Sequence, residues 1–189
     1  MAQVTIDFGI DLGTTNSVIS VSRNGEIEVI DNAQQKSTPS MVFIDKKGKM
    51  HRGMSVKSQL RRPSTAVDVA LEFKRVMGQD SPHFFDAAGR VMSPEELSAE
   101  ILKELRAAAE HRFVEPPRAA VITIPAMFEL PQNEATSRAA KLAGFEQVIL
   151  LQEPVAAATA YGYQSESDKA YWLVYDFGGG TFDVSILHI

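Results

Sequence analysis

The chain has 189 residues, is 44% hydrophobic and 23% charged, carries a net charge of −5 and contains no cysteine. That length allows one domain or two small ones with a true core, burying about 70% of the unfolded surface. Disulfide and thiolate chemistry are excluded. An acidic balance without a long basic run speaks against a nucleic-acid partner, which needs clustered Lys and Arg. No segment approaches the roughly 20 apolar residues of a membrane span. The N-terminus lacks the basic and apolar regions of a signal peptide, so a cytoplasmic protein with no membrane partner is expected.

Residues 4–10 read as a largely buried strand stopping at Asp11. Residues 17–22 resume as a strand and turn at Asn24-Gly25, the strongest short hairpin signal because both positions tolerate positive φ. Residues 26–30 return, giving three consecutive antiparallel strands. The run Ser37-Thr38-Pro39-Ser40 marks a change of character. Residues 41–44 are apolar, 55–61 suggest a short helix ended by Pro63, and 71–77 suggest a helix closed by Gly78. Residues 81–92 look irregular, with one short hairpin possible at Ala88-Gly89.

Ser93-Pro94-Glu95-Glu96 is a helix start: Ser93 can cap, Pro94 fits the first position and Glu96 can complete a capping box. Leu97, Ile101, Leu105 and Ala108 then recur at helical spacing to about residue 112, with the charges expected to face outward. Strands at 119–124 and 148–151 alternate with helices at 131–143 and 155–161. Gly144 suits a helix C-terminus. Residues 165–169 form a polar linker, and 171–175 with 182–189 form a final hairpin around the single Trp172, read as core. Strands alternating with helices in the second half imply parallel pairing and an α/β fold.

Two loops resemble each other. Asp11-Leu12-Gly13-Thr14-Thr15-Asn16 and Asp176-Phe177-Gly178-Gly179-Gly180-Thr181 each follow an apolar run, begin with aspartate, turn through glycine and hydroxyl residues, and resume as a strand. Glycine lets the backbone approach a phosphate, successive N–H groups in a tight turn cradle an anion, and Thr14, Thr15 and Thr181 add hydroxyl donors. Asp11 and Asp176 are placed to hold a hydrated Mg²⁺. Taken singly, Asp11-Leu12-Gly13 reads equally as a hairpin turn. Neither loop has the Gly-Lys-Ser/Thr of a P-loop or the GxGxxG of a dinucleotide fold. The four histidines show no ligand spacing and read as structural.

Four segments, 10–17, 73–78, 121–128 and 152–185, resemble in order the front of the ATPase domain of the 70-kilodalton heat-shock (DnaK-type) chaperone family. The resemblance implies an actin-like ATPase fold with a ribonuclease H-like motif. Residues 1–38 and 117–170 would form the core of a first lobe with a mixed sheet. Residues 39–116 would be an inserted small α+β subdomain, and 171–189 the first hairpin of an otherwise absent second lobe. ATP or ADP would lie between the lobes. Asp11, Glu153 and Asp176 would surround Mg²⁺, mostly through its waters. Gly13, Thr14, Thr15 and Asn16 would bind phosphate from one side, and Gly178, Gly179, Gly180 and Thr181 from the other.

Lys74 would approach the γ-phosphate and orient the attacking water, with Thr181 assisting and Asp183 near a K⁺ site. By themselves, Lys74 reads as a solvated cation and Glu153 as a first-turn acid. The implied partners are unfolded polypeptides, a J-domain co-chaperone and a nucleotide exchange factor. Other readings are another actin-fold ATPase or sugar kinase, or a non-catalytic co-chaperone-docking module. The short stretch between Lys74 and Pro125 suggests a divergent short-form member, and Asn133, standing where the family has arginine, suggests altered interdomain coupling. The chain is expected to bind ATP poorly and to be inactive alone, and its hairpin edges to pair with other molecules.

Overall fold

A computed structural model describes residues 6–60, 68–161 and 171–188. The expected linker at 165–169, Pro63 and the terminal Ile189 lie outside the described residues. The first three strands, β1 (Phe8–Asp11), β2 (Asn16–Arg23) and β3 (Glu26–Val29), form the expected antiparallel meander. Asn24 and Gly25 turn between β2 and β3 at φ 53° and 81°, the left-handed geometry that a two-residue hairpin needs. A two-residue strand, β4 (Thr38–Pro39), pairs back onto the start of β2.

Next comes a small sheet of β5 (Val42–Ile44), β6 (Met50–Arg52) and, after helix α1 (Met54–Leu60), β7 (Val69–Ala70), with β5 in the middle. The helix expected over 71–77 is instead one tight 3₁₀ turn, Phe73–Val76, following shortly after β7. Glu72 at φ 53° breaks any helical run there. The hairpin near Ala88-Gly89 forms as β8 (His83–Phe85) and β9 (Arg90–Met92) around a 3₁₀ turn.

The long helix α2 (Pro94–Phe113) starts as its sequence dictates. Ser93 Oγ accepts from the Glu96 N–H at 3.2 Å, and Glu96 Oε2 accepts from the Ser93 N–H at 2.8 Å. Its Leu97, Ile101, Leu102 and Leu105 are buried against the sheet, each stabilising by about 1.5–3 kcal/mol. Not all its charges face outward. Glu100 is buried because Arg52 Nη1 and Lys103 Nζ donate to its two oxygens at 2.8 and 2.7 Å, tying the helix to β6.

The chain then runs β10 (Ala119–Ile124), α3 (Leu130–Leu142), β11 (Gln147–Gln152) and α4 (Glu153–Ala160). The main sheet has the order β3-β2-β1-β10-β11, with β1, β10 and β11 mutually parallel. The final hairpin, β12 (Tyr171–Phe177) with β13 (Phe182–His188), forms a separate ladder packed on α4. Its Trp172 is half-buried rather than core, and the opposite face leaves Tyr171, Leu173, Tyr175, Phe177, Phe182, Val184 and Ile186 exposed.

Helices α2 and α3 pack together, with Ala135, Thr136, Ala139 and Ala140 of α3 buried. Ser98 of α2 is fully buried, and its hydroxyl has no hydrogen-bond partner among the described residues. A buried unsatisfied hydroxyl costs about 1–3 kcal/mol. Ser98→Ala should therefore raise the thermal unfolding midpoint, with a gain of about 1 kcal/mol. Unchanged or lower stability in denaturant titration would contradict that.

Candidate functional site

The site forms where three parallel strands end. Register pairs Gly9 with Val121 and Ile10 with Ile122, and on the other side Ile124 with Gln152. Asp11 closing β1, Pro125 just past β10 and Glu153 just past β11 therefore emerge at the same edge of the sheet. Ligands of open α/β sheets bind at this carboxyl edge. Thr123 Oγ1 donates to Asp11 Oδ1 at 3.1 Å, so the neighbouring strand orients the first acid. Glu153 also opens α4, where the helix dipole favours a carboxylate.

The first loop turns through Gly13 because no other residue fits. A Cβ there would overlap the carbonyl oxygen of Asn16. The second loop, held by the Gly178 N–H on the Thr181 carbonyl at 2.9 Å, faces the first directly. A Cβ on Gly179 would lie 2.9 Å from Thr15 Cβ, and one on Gly180 3.0 Å from Thr14 Cγ2. The glycines thus permit contact between the two loops.

Between them lies a cleft of about 280 Å³. Of the residues singled out by sequence, Asp11, Gly13, Thr14, Thr15, Asn16, Lys74, Glu153, Asp176, Gly178, Gly179 and Thr181 line it. Gly180 and Asp183 do not: Gly180 packs on Thr14, and Asp183 sits opposite Asp176 in the hairpin ladder. Arg75, Pro125 and Phe128 complete the lining.

Lys74 is not a solvated cation. Only 7% exposed, it projects from the 3₁₀ turn, donates from Nζ to Glu153 Oε1 at 2.6 Å, and lies 6.0 Å from the centre of the Phe128 ring. Burial pushes the Glu153 carboxyl above its ordinary value of 4.5; Lys74 pulls it down, and the charges of Asp11 and Asp176 push it further up. Asp11 and Asp176 therefore both act on Glu153 across the cleft. Among the described residues no three acids or histidines lie close enough to hold a metal ion directly. An all-oxygen donor set of this kind, spread across a cleft, fits a cation that keeps its waters, as Mg²⁺ does.

Two contributors escaped the sequence reading. Thr123 sits inside an apolar strand and shows its role only once β1 and β10 are paired. Ser40, buried behind the first loop, lies 27 positions from Gly13, to whose carbonyl oxygen its hydroxyl donates. The run Ser37-Thr38-Pro39-Ser40 was its only signal. Asn133 lies in the first turns of α3, and its Oδ1 is buried without a hydrogen-bond partner among the described residues.

A mixed sheet with acids at the ends of its parallel strands, facing an Asp-Gly-Gly-Gly-Thr hairpin across a cleft, defines an actin-like nucleotide-binding lobe. The model of one family, Hsp70 protein, matches residues 7–189, nearly the whole chain. The chain belongs to the Hsp70 family and corresponds to part of its nucleotide-binding domain. Full-length members hydrolyse ATP and bind ATP or ADP with Mg²⁺. No helix among the described residues is long and apolar enough to cross a membrane.

The balance at Glu153 has a measurable sign. A carboxyl raised on folding favours the native state as pH falls through its folded value, and that contribution is lost above it. In metal-free protein, the ¹³C titration of the Glu153 carboxyl should have a midpoint above 4.5. Lys74→Met should raise it further, and Asp11→Asn should lower it. A midpoint insensitive to both would show that the three groups do not share one field.

Proposed function

We propose that this cleft binds the phosphates of Mg-ATP and that the whole protein couples hydrolysis of the terminal phosphate to binding and release of unfolded polypeptides. The observation that supports this most is the convergence of two glycine–threonine loops, three carboxylates and one buried lysine on a single cleft. Thr14, Thr15 and the backbone of 13–16 would hold phosphate oxygens from one side, and Gly178, Gly179 and Thr181 from the other, with Gly180 letting the second loop close against Thr14. Asp11, Glu153 and Asp176 would hold hydrated Mg²⁺, which offsets phosphate charge.

Lys74 would stabilise charge on the transferring phosphoryl group and help orient the attacking water. To do so its ammonium must share or leave Glu153, now 2.6 Å away. Asp183, one ladder position from the cleft, is proposed beside a K⁺ site. Residues 39–116 are proposed as an inserted subdomain of the lobe built by 1–38 and 117–170, with 171–189 beginning a second. A J-domain co-chaperone and a nucleotide exchange factor are the proposed partners, and the cytoplasm, in stress response and protein folding, the proposed setting.

Calorimetry with Mg-ATP tests the site. Binding that falls at least tenfold in Asp11→Asn, a loss of about 1.4 kcal/mol, and weakens in Lys74→Ala supports the assignment. Binding unaffected by either substitution would remove it.

A separate test concerns Asn133. In a full-length protein, Asn133→Arg should increase the stimulation of ATP hydrolysis by peptide. No change would show that this position does not set the coupling.

A further inference from the structure

Ser40 is only 2% exposed and lies behind the first phosphate loop, outside the cleft lining. It touches the loop at three points. Its N–H donates to the Thr15 carbonyl at 2.8 Å, its Oγ donates to the Gly13 carbonyl at 2.8 Å, and its Oγ lies 3.0 Å from the fully buried Ser17 Oγ. Each hydroxyl has one proton. Since the Ser40 proton goes to Gly13, the Ser17 hydroxyl must be the donor to Ser40. The result is a directed relay, Ser17 O–H to Ser40 O–H to Gly13 C=O, in which each bond polarises the next.

The relay has a geometric consequence. The Gly13–Thr14 peptide is planar and trans, so its C=O and N–H point in opposite directions. Holding the Gly13 oxygen on Ser40 turns the Thr14 N–H away from Ser40, on the side where Gly13, Thr14 and Thr15 line the cleft. Among the described residues that N–H has no hydrogen-bond partner. An N–H left unpaired in a glycine turn is a donor kept for an anion.

We infer that Ser40 is a positioning residue for phosphate: with Ser17 it anchors the Gly13 carbonyl and so aims the Thr14 N–H into the cleft. The inference rests on the phosphate-binding reading above. Ser40 acts through the loop and does not touch the ligand. It also marks the junction with the small β5–β6–β7 sheet, since the adjacent Met41 accepts the Gly53 N–H at 3.0 Å.

The test uses the whole chain with Ser40→Ala, Ser17→Ala and Asp11→Asn, read by Mg-ATP calorimetry and by the ¹³C shift of the Gly13 carbonyl in nucleotide-free protein. Ser40→Ala should weaken Mg-ATP binding about tenfold, the effect of one lost hydrogen bond to a buried group. It should also move the Gly13 carbonyl carbon upfield, as loss of an accepted hydrogen bond does. Ser17→Ala, which leaves the Ser40–Gly13 bond in place, should shift both readouts in the same direction but less, and it carries the test if Ser40→Ala does not fold. A Ser40→Ala protein with lowered stability but unchanged affinity and carbonyl shift would overturn the inference. If this chain alone binds Mg-ATP too weakly to measure, affinities are compared in a full-length protein carrying the same substitutions, where absence of binding would remove the phosphate reading by itself. The carbonyl shift then decides the relay: an upfield move upholds it, and an unmoved resonance removes it.

Discussion

Parallel pairing of β1 with β10, and of β10 with β11, is the constraint on which the cleft depends. Strands running the same way end at the same edge, so Asp11 meets Pro125 and Glu153, both more than a hundred positions away in sequence, without any local signal drawing them together. A shift of one residue in either register would turn each terminal side chain to the other face. That register is held by burial: Ile10, Ile122 and Ile124 alternate into the core with Ile19 and Val21. The apolar core thus does more than stabilise the lobe; it sets where its charges stand.

Those charges oppose one another. Three carboxylates around one cleft, with Glu153 largely buried, would be costly without a cation nearby. Lys74 supplies one from the protein itself, and its own burial is tolerable because Glu153 lies 2.6 Å away and Phe128 offers its ring face. The site therefore has an internal ion pair where the ligand-bound state would have metal and phosphate. On the proposed function, a hydrated cation and a polyphosphate together would bring both signs of charge, so Lys74 and Glu153 would exchange each other for ligand without either being stranded.

Much of the lobe was legible in the chain. The Asn24-Gly25 turn, the Ser93–Glu96 capping box and the apolar spacing of α2 are local instructions, and the structure follows each. Both glycine loops were legible because close backbone approach leaves so few residue choices. What was not legible is what depends on distant partners. Glu100 looks like one more surface acid on α2 until Arg52 is brought beside it by β6. The segment 71–77 has helical composition, yet the left-handed Glu72 and the pairing of Val69 and Ala70 with β5 leave only a 3₁₀ turn. Lys74, read from its neighbours alone, looked solvated; only the family resemblance pointed inward, and only the fold shows the carboxylate that keeps it there.

The outward face of the β12–β13 hairpin has a colloidal consequence. Seven large apolar side chains from Tyr171 to Ile186 stand exposed on one small ladder, a contiguous patch of the kind that drives association unless like charge keeps molecules apart. The net charge of −5 provides that repulsion near neutral pH, and it vanishes near the isoelectric point of about 5.4. Solubility should accordingly be lowest in mildly acidic buffer. Salt would act in the same direction at neutral pH, by screening the repulsion while leaving the apolar attraction intact.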